Sequence, residues 1–354
     1  MTGAGKDIIL SFCIPTYNRA VFIGEALRSI ISQADERIEI VVVDGASTDN
    51  TAEVIRQYQQ QFPNLVYFRG EKKRGVDRDM AKSIELARGE YCWMLSDDDV
   101  LCPGAVDRIL KETGLGCEIF LCNATNCDLS LRPLKDRFWL SRRANDRIFD
   151  FCDRKDLILY CRLANSLGAI FSYMSSIILL RRAWNRAGFQ DSFDGSAYAL
   201  AASLFSFRSH KCRLKYIREP LLLCRGDNES FSGSAGLVKR FLLDFDGYLR
   251  LADIFLGNDK AARRVFLKVM TREHPWYTII HVASLIDIQE AWLLFKKKLV
   301  ACGYNPLMVS LCRFLSGNEK LVSLAVALKR KIVRNRAYLW FNRIITRVLF
   351  LKQT

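Results

Sequence analysis

The sequence predicts an α/β chain with a mostly parallel sheet flanked by helices, followed by a mainly helical, basic C-terminal region. Three observations predict it. Over residues 8–95, short apolar runs alternate with stretches of helical apolar spacing, the order expected of parallel βαβ units with right-handed crossovers. From about Leu237 helical spacing dominates, with few turn signals before Gly257-Asn258-Asp259. Charge divides the chain as well: residues 1–115 carry 14 basic and 18 acidic side chains, the remainder 39 and 20, within a net of +15 over 354 residues. An acidic-leaning front and a basic rear suit chemistry in the first part and an anionic partner or surface in the second. Half the residues are hydrophobic, which excludes a disordered or fibrous chain.

In order, Ile8–Ile14 reads as a strand buried on both faces, ending in the turn sequence Pro15-Thr16-Tyr17-Asn18-Arg19. Phe22, Ala26 and Ile30 predict a helix over Phe22–Gln33. Ile38–Val43 is a second buried strand, and Asp44–Asn50 is its loop. Thr51–Gln61 is a helix, Leu65–Phe68 a short strand, and Met80–Arg88 a helix closed by Gly89. Tyr91–Leu95 is a fourth strand, ending in Ser96-Asp97-Asp98-Asp99. The apolar run Gly168–Leu180 is too short to span a membrane and reads as buried strand. His274 and His281, seven apart on one expected helix, read as structural. The expected divisions are 1–115, 116–236 and 237–354.

The twelve cysteines include no CxxC pair, and the spacing of Cys117, Cys122 and Cys127 fits no common zinc pattern. MTGAGKD has no signal-peptide core. Reduced thiols and a cytosolic compartment are expected.

In parallel sheets of this kind, ligands bind beyond the carboxyl ends of the strands. Thr16-Tyr17-Asn18, Asp44–Asp49 and Asp97–Asp99 all fall there. The Gly-rich phosphate signatures GxGxxG and GxxxxGK[ST] are absent. Three consecutive carboxylates repel one another unless compensated. At the end of a buried strand they suit Mg2+ or Mn2+, which prefer one or two carboxylates plus phosphate oxygens. The alternative is a solvated acidic turn, or a cap by Asp99 of a short helix from Pro103.

Ile14–Arg19, Val42–Thr51, Ala87-Arg88-Gly89-Glu90-Tyr91, Asp97-Asp98-Asp99 and Pro103-Gly104, in this order, resemble glycosyltransferase family 2 over residues 8–115. Gly75-Val76-Asp77-Arg78-Asp79 with Tyr91–Asp99 is most similar to abequosyltransferase-like enzymes of bacterial O-antigen synthesis. The resemblance implies a GT-A fold of the Rossmann-like kind, with 1–115 binding nucleotide-sugar and 116–236 facing the acceptor. It implies an inverting transfer from a nucleotide-diphosphate sugar with a divalent metal. By the same resemblance, Pro15, Thr16 and Tyr17 line the base and Asp44 hydrogen-bonds it, although the usual aspartate beside it is Gly45. Counting from Pro103 points to Asp98 as the principal metal ligand, with Asp97 on the ribose side and Asp99 as a further contact. The family's Ala-Arg-Asn contacts fall on Asp79, Met80 and Ala81 and are lost. Arg78 is a substitute for the diphosphate, unless Asp77-Arg78-Asp79 is only a charged helix start.

Inversion needs a general base for the acceptor hydroxyl. The family's usual acidic pair falls on Ser196 and Ala197, leaving Asp194 and Asp191 as the nearest carboxylates, with ordinary loop aspartates as the alternative. Residues 320–354 hold nine Lys/Arg and no Asp or Glu, interleaved with Tyr338, Trp340, Phe341 and Phe350. Such a helix suits an anionic membrane interface, or else packs on the enzyme with a solvated basic face. No RNA or DNA motif accompanies the charge, so nucleic acid is not expected. The expected partners are therefore the nucleotide-sugar, a lipid-linked saccharide and the inner face of the cell membrane. A nucleotidyltransferase of related fold and a non-catalytic nucleotide-sugar-binding protein are the other readings.

Overall fold

A computed structural model describes residues 7–226 and 236–334. The chain divides into two compact units, Met1–Asn228 with Arg250–Val269, and Glu229–Leu249 with Met270–Thr354.

The first unit opens with β1 (Leu10–Thr16), α1 (Ala20–Ile31), β2 (Ile38–Asp44), α2 (Thr51–Gln61), β3 (Leu65–Arg69), α3 (Val76–Leu86) and β4 (Tyr91–Met94). Every residue of β1, β2 and β4 is buried, as a strand covered on both faces requires. β3, β2, β1 and β4 lie side by side and run parallel. The one ionisable side chain within the buried run of β2 before its last residue, Glu39, is satisfied from its neighbours. Ser11 donates to it at 2.7 Å, and Arg88 donates through its backbone N–H at 2.8 Å and its Nε at 2.5 Å. Gly89 is therefore not a helix cap. It is the point where the chain passes over Ser11, and a Cβ there would lie 2.6 Å from the Ser11 hydroxyl. Pro15 sits past Cys13, the last residue of β1 paired with β4, so its missing N–H costs the ladder nothing on that side.

The second half of the sheet is mixed. β5 (Val100–Leu101), α4 (Ala105–Thr113), β6 (Ile119–Cys127), β7 (Pro133–Arg137), β8 (Arg147–Asp150), α5 (Arg154–Leu163), β9 (Ile177–Leu180), α6 (Arg181–Ala187), α7 (Ala199–Ser206) and β10 (Arg213–Cys224) complete it. The order is β3-β2-β1-β4-β9-β6-β10-β5, with β7 on β6 and β8 on β10. β9 runs antiparallel to both β4 and β6, while β6 and β10 are parallel.

Three further sequence readings are corrected here. Of the apolar run Gly168–Leu180 only Ile177–Leu180 is strand. Gly168 lies against the Trp139 ring, so the preceding chain winds through 3-10 turns at Leu167–Ile170 and Met174–Ser176, with Phe171 left-handed at φ 63°. Asp99 caps no helix: β5 follows it, and α4 starts after Gly104. His274 and His281 do not share a helix, because Pro275 separates the helix Lys260–Glu273 from the helix Trp276–Ala283.

The C-terminal helices are α8 (Gly236–Leu256), α9 (Lys260–Glu273), α10 (Trp276–Ala283), α11 (Gln289–Ala301), α12 (Pro306–Ser316) and α13 (Glu319–Arg334). Within the second unit Phe241, Phe245, His274 and Phe295 pack ring on ring, and Tyr304 donates to the carbonyls of Met270 and His274. Residues 335–354, most of the expected membrane-binding tail, lie outside the described residues. No helix among the described residues is long and apolar enough to cross a membrane. The twelve cysteines, all among the described residues, form no disulfide.

Candidate active site

The loops after β1 and β2 are bound to each other before any ligand arrives. Asn18, left-handed at φ 54°, receives Thr48 N–H on Oδ1 at 2.7 Å and gives its own N–H to Ser47 Oγ at 2.9 Å. Arg19 N–H reaches Thr51 Oγ1 at 2.8 Å. Asp44, fully buried at the end of β2, accepts Ser47 N–H and the Tyr67 hydroxyl, each at 2.7 Å. Its carboxylate therefore shapes the loop as well as facing the sheet edge. Thr16 is paired with Asp44 in the ladder, and its buried hydroxyl lies near Asp97. Tyr17 is half-buried, with the Lys73 ammonium 3.9 Å over its ring.

The acidic triplet lies at the end of β4, and all three carboxylates are under one-tenth exposed. Burial first, and then the charge of Asp98, pushes both Asp97 and Asp99 up to about 7. The nearby Thr16 hydroxyl and Arg19, whose Nε is 3.7 Å from Asp97, act the other way on Asp97. Asp98 accepts the Ser96 hydroxyl at 2.5 Å. Asp99 is held from three sides, by the Tyr173 hydroxyl at 2.5 Å, the Ser175 hydroxyl at 2.6 Å and Arg225 N–H at 3.2 Å. Arg225 also donates to the Asp98 carbonyl at 3.0 Å and pairs with Glu25. Tyr173, Ser175 and Arg225 went unnoticed in the sequence. An arginine directly after the apolar strand end Leu221–Cys224 was the signal available.

Helix α3 carries the third group. Asp77, at the helix start, is buried and accepts Ala197 N–H at 3.1 Å. Arg78 donates to Asp194 at 2.7 Å and Asp191 at 2.8 Å, and lies 4.6 Å over the Phe189 ring. Asp79 turns toward β2 and is held by Arg74 at 3.2 Å. The structure thus gathers Thr16, Asp44 and Asp97–Asp99 at one sheet edge, and joins Arg78 to Asp191 and Asp194. Arg78 bridges two carboxylates, rather than standing open for a diphosphate.

Among the described residues, no group of three or more His, Cys, Asp or Glu could by itself hold a metal ion. The chemistry of the triplet nevertheless fits a hard divalent cation that takes one or two carboxylates and completes its shell with phosphate and water. The strain of like charges at Asp97–Asp99 is what such an ion relieves. This has a pH consequence. A carboxyl whose folded value is raised holds its proton when the unfolded chain has lost its own, so its stabilising effect fades as pH rises from about 4 through about 7. In EDTA, melting temperature should fall across this window, and Mn2+ should restore it above pH 7. A profile that is flat, or indifferent to Mn2+, would refute the assignment.

Residues 11–165 match the family described as Glycosyl transferase family 2. The chain is 37% identical over 284 residues to abequosyltransferase RfbV of Salmonella typhimurium, covering 78% of this chain and 84% of that protein. It is 27% identical over 251 residues to the GalNAc(5)-diNAcBac-PP-undecaprenol beta-1,3-glucosyltransferase of Campylobacter jejuni, covering 69% and 73%. The structure of S. aureus TarS 1–349 in complex with UDP-GlcNAc superposes with a TM-score of 0.61 at 14% identity, over 92% of this chain and 86% of that one, and so shares the fold. The fold and the extent of the likeness to RfbV lead to one conclusion: the chain belongs to glycosyltransferase family 2 and is a sugar-transferring enzyme.

Proposed function

We propose that the enzyme moves a sugar from a nucleotide-diphosphate donor, with inversion, to a lipid-linked saccharide in bacterial surface-polysaccharide synthesis. The observation that carries this reading is the convergence of Thr16, Asp44 and the buried Asp97–Asp99 triplet at the carboxyl ends of β1, β2 and β4. Identity to RfbV favours a CDP-linked dideoxyhexose such as abequose as donor. The undecaprenol in the name of the Campylobacter relative favours a lipid-linked acceptor.

In this reading Pro15, Thr16 and Tyr17 line the base with Asp44, Asp97 meets the ribose, and Asp98, with Asp99 beside it, holds Mg2+ or Mn2+. When bound, the metal neutralises charge on the departing diphosphate. The acceptor hydroxyl forms its bond to C1 as the C1–O bond to the diphosphate breaks, and its proton passes to a carboxylate. Asp194 is the better placed of the two candidates: it is 35% exposed against 76% for Asp191, and Arg78 fixes its Oδ2 and leaves Oδ1 to accept.

Incubation with CDP-, UDP-, GDP- and dTDP-sugars and a lipid-linked saccharide should release nucleoside diphosphate. Release of inorganic diphosphate from a nucleoside triphosphate and a sugar 1-phosphate would mean nucleotidyl transfer instead, and activity undiminished in EDTA would remove the metal. The acceptor places the enzyme at the inner face of the cell membrane, served by the basic tail. The full chain should float with anionic vesicles at low salt and detach at high salt, because each basic residue contributes on the order of 1 kcal/mol and is screened. A chain ending at residue 334 should float much less, and equal flotation would place the contact elsewhere.

A further inference from the structure

Gly45 follows Asp44 at the end of β2, and its backbone is not left-handed. Yet a Cβ at this position would lie 2.6 Å from Oδ2 of Asp79, closer than real Cβ contacts come, while the nearest backbone atom, the Thr16 carbonyl oxygen, would be 3.6 Å away. Position 45 is thus bare because a carboxylate from helix α3 occupies the space its side chain would take. Asp79 is 4% exposed, and its other oxygen is held by Arg74, itself a third exposed. Burial first raises the Asp79 carboxyl, with the charge of Asp44 acting in the same direction. Thr16, the ladder partner of Asp44, is 4% exposed as well, with its hydroxyl near Asp97.

We propose that Asp79, reaching in from α3 over the bare Gly45, is the carboxylate that reads the N–H edge of the donor's base and so determines which nucleoside diphosphate this enzyme accepts. An ionised carboxylate only accepts hydrogen bonds, so it selects a base that presents an N–H where Oδ2 points. Sites that depend on one buried hydrogen bond of this kind discriminate strongly, since the wrong partner leaves a desolvated group unpaired. Arg74 holds Oδ1 and so keeps the carboxylate oriented with Oδ2 at position 45.

The inference rests on the nucleotide-sugar reading, and the test separates the two. Binding of CDP, UDP, GDP and dTDP is measured for the wild type, Asp79→Asn, Gly45→Ala and the double variant, with melting temperature as the check on folding. Asp79→Asn keeps the volume but presents an amide. It should lower affinity for the preferred nucleotide at least tenfold and change the order of preference, while affinity for inorganic diphosphate stays unchanged. Gly45→Ala leaves the backbone unstrained and displaces only the Asp79 carboxylate, so it should reproduce the loss. On the Asp79→Asn background it should add little. Unchanged preference in Asp79→Asn, or additive losses in the double variant, would overturn the assignment and leave the donor reading intact. A folded wild type that binds no nucleotide would overturn both.

Discussion

Asp98→Ala is expected to lower transfer by on the order of 10^3-fold, the equivalent of about 4 kcal/mol of barrier. The same change should leave the metal-free protein no less stable than the wild type. Both expectations come from one fact, the position of Asp98 between two carboxylates that are themselves buried. Its charge helps raise Asp97 and Asp99, so its removal relieves repulsion in the folded state. Its side chain accepts a hydrogen bond from Ser96, on the same turn. The support of the turn by Arg225 runs through the Asp98 carbonyl, which alanine keeps. Steady-state transfer measured with a Mn2+ titration, beside melting curves in EDTA, checks both halves. Activity within tenfold of wild type would remove Asp98 from the metal site.

The largest effect on stability is expected at a glycine with no part in the chemistry. In Gly168→Ala the new methyl would sit 2.1–2.7 Å from three ring carbons of Trp139. That ring cannot retreat. Trp139 is fully buried, its Nε1 donates to the Cys122 carbonyl at 2.6 Å and to Ser176 Oγ at 2.9 Å, and its own N–H reaches Asn123 at 2.9 Å. Overpacking of this kind costs about 3 kcal/mol. Activity should fall too, because the segment that must shift carries Tyr173 and Ser175 onto Asp99. Gly114→Ala, where a Cβ meets nothing within 4 Å, is the control and should move the melting temperature little. Comparable melting curves for the two variants would show that the Trp139 contact gives way.

The parallel half of the sheet was legible because burial on both faces leaves continuous apolar runs, and β1, β2 and β4 are such runs. The antiparallel half was not. A four-residue strand such as β9, between a 3-10 turn and helix α6, has no turn signal to set it off from the apolar chain before it. The loops after β1 and β2 could be recognised as a pair, but not why they belong together, since the hydrogen bonds of Asn18 with Ser47 and Thr48 and of Arg19 with Thr51 form only once folded. Arg78 was singled out for its type. Its partners lie 113 and 116 residues away and left no local trace. The same is true of Tyr173, Ser175 and Arg225, which are 74, 76 and 126 residues from the carboxylate they hold.

Helix α3 behaves as an indexed shaft. Just past its far end, Arg88 is locked to Glu39 inside the sheet, and its near end delivers Asp77, Arg78 and Asp79 to three separate addresses. Successive residues on a helix point about 100° apart. One residue gained or lost between 76 and 88, with the far end still locked, would turn all three charges away from their partners at once. Substitutions along the shaft keep these three directions, and a change in its length does not.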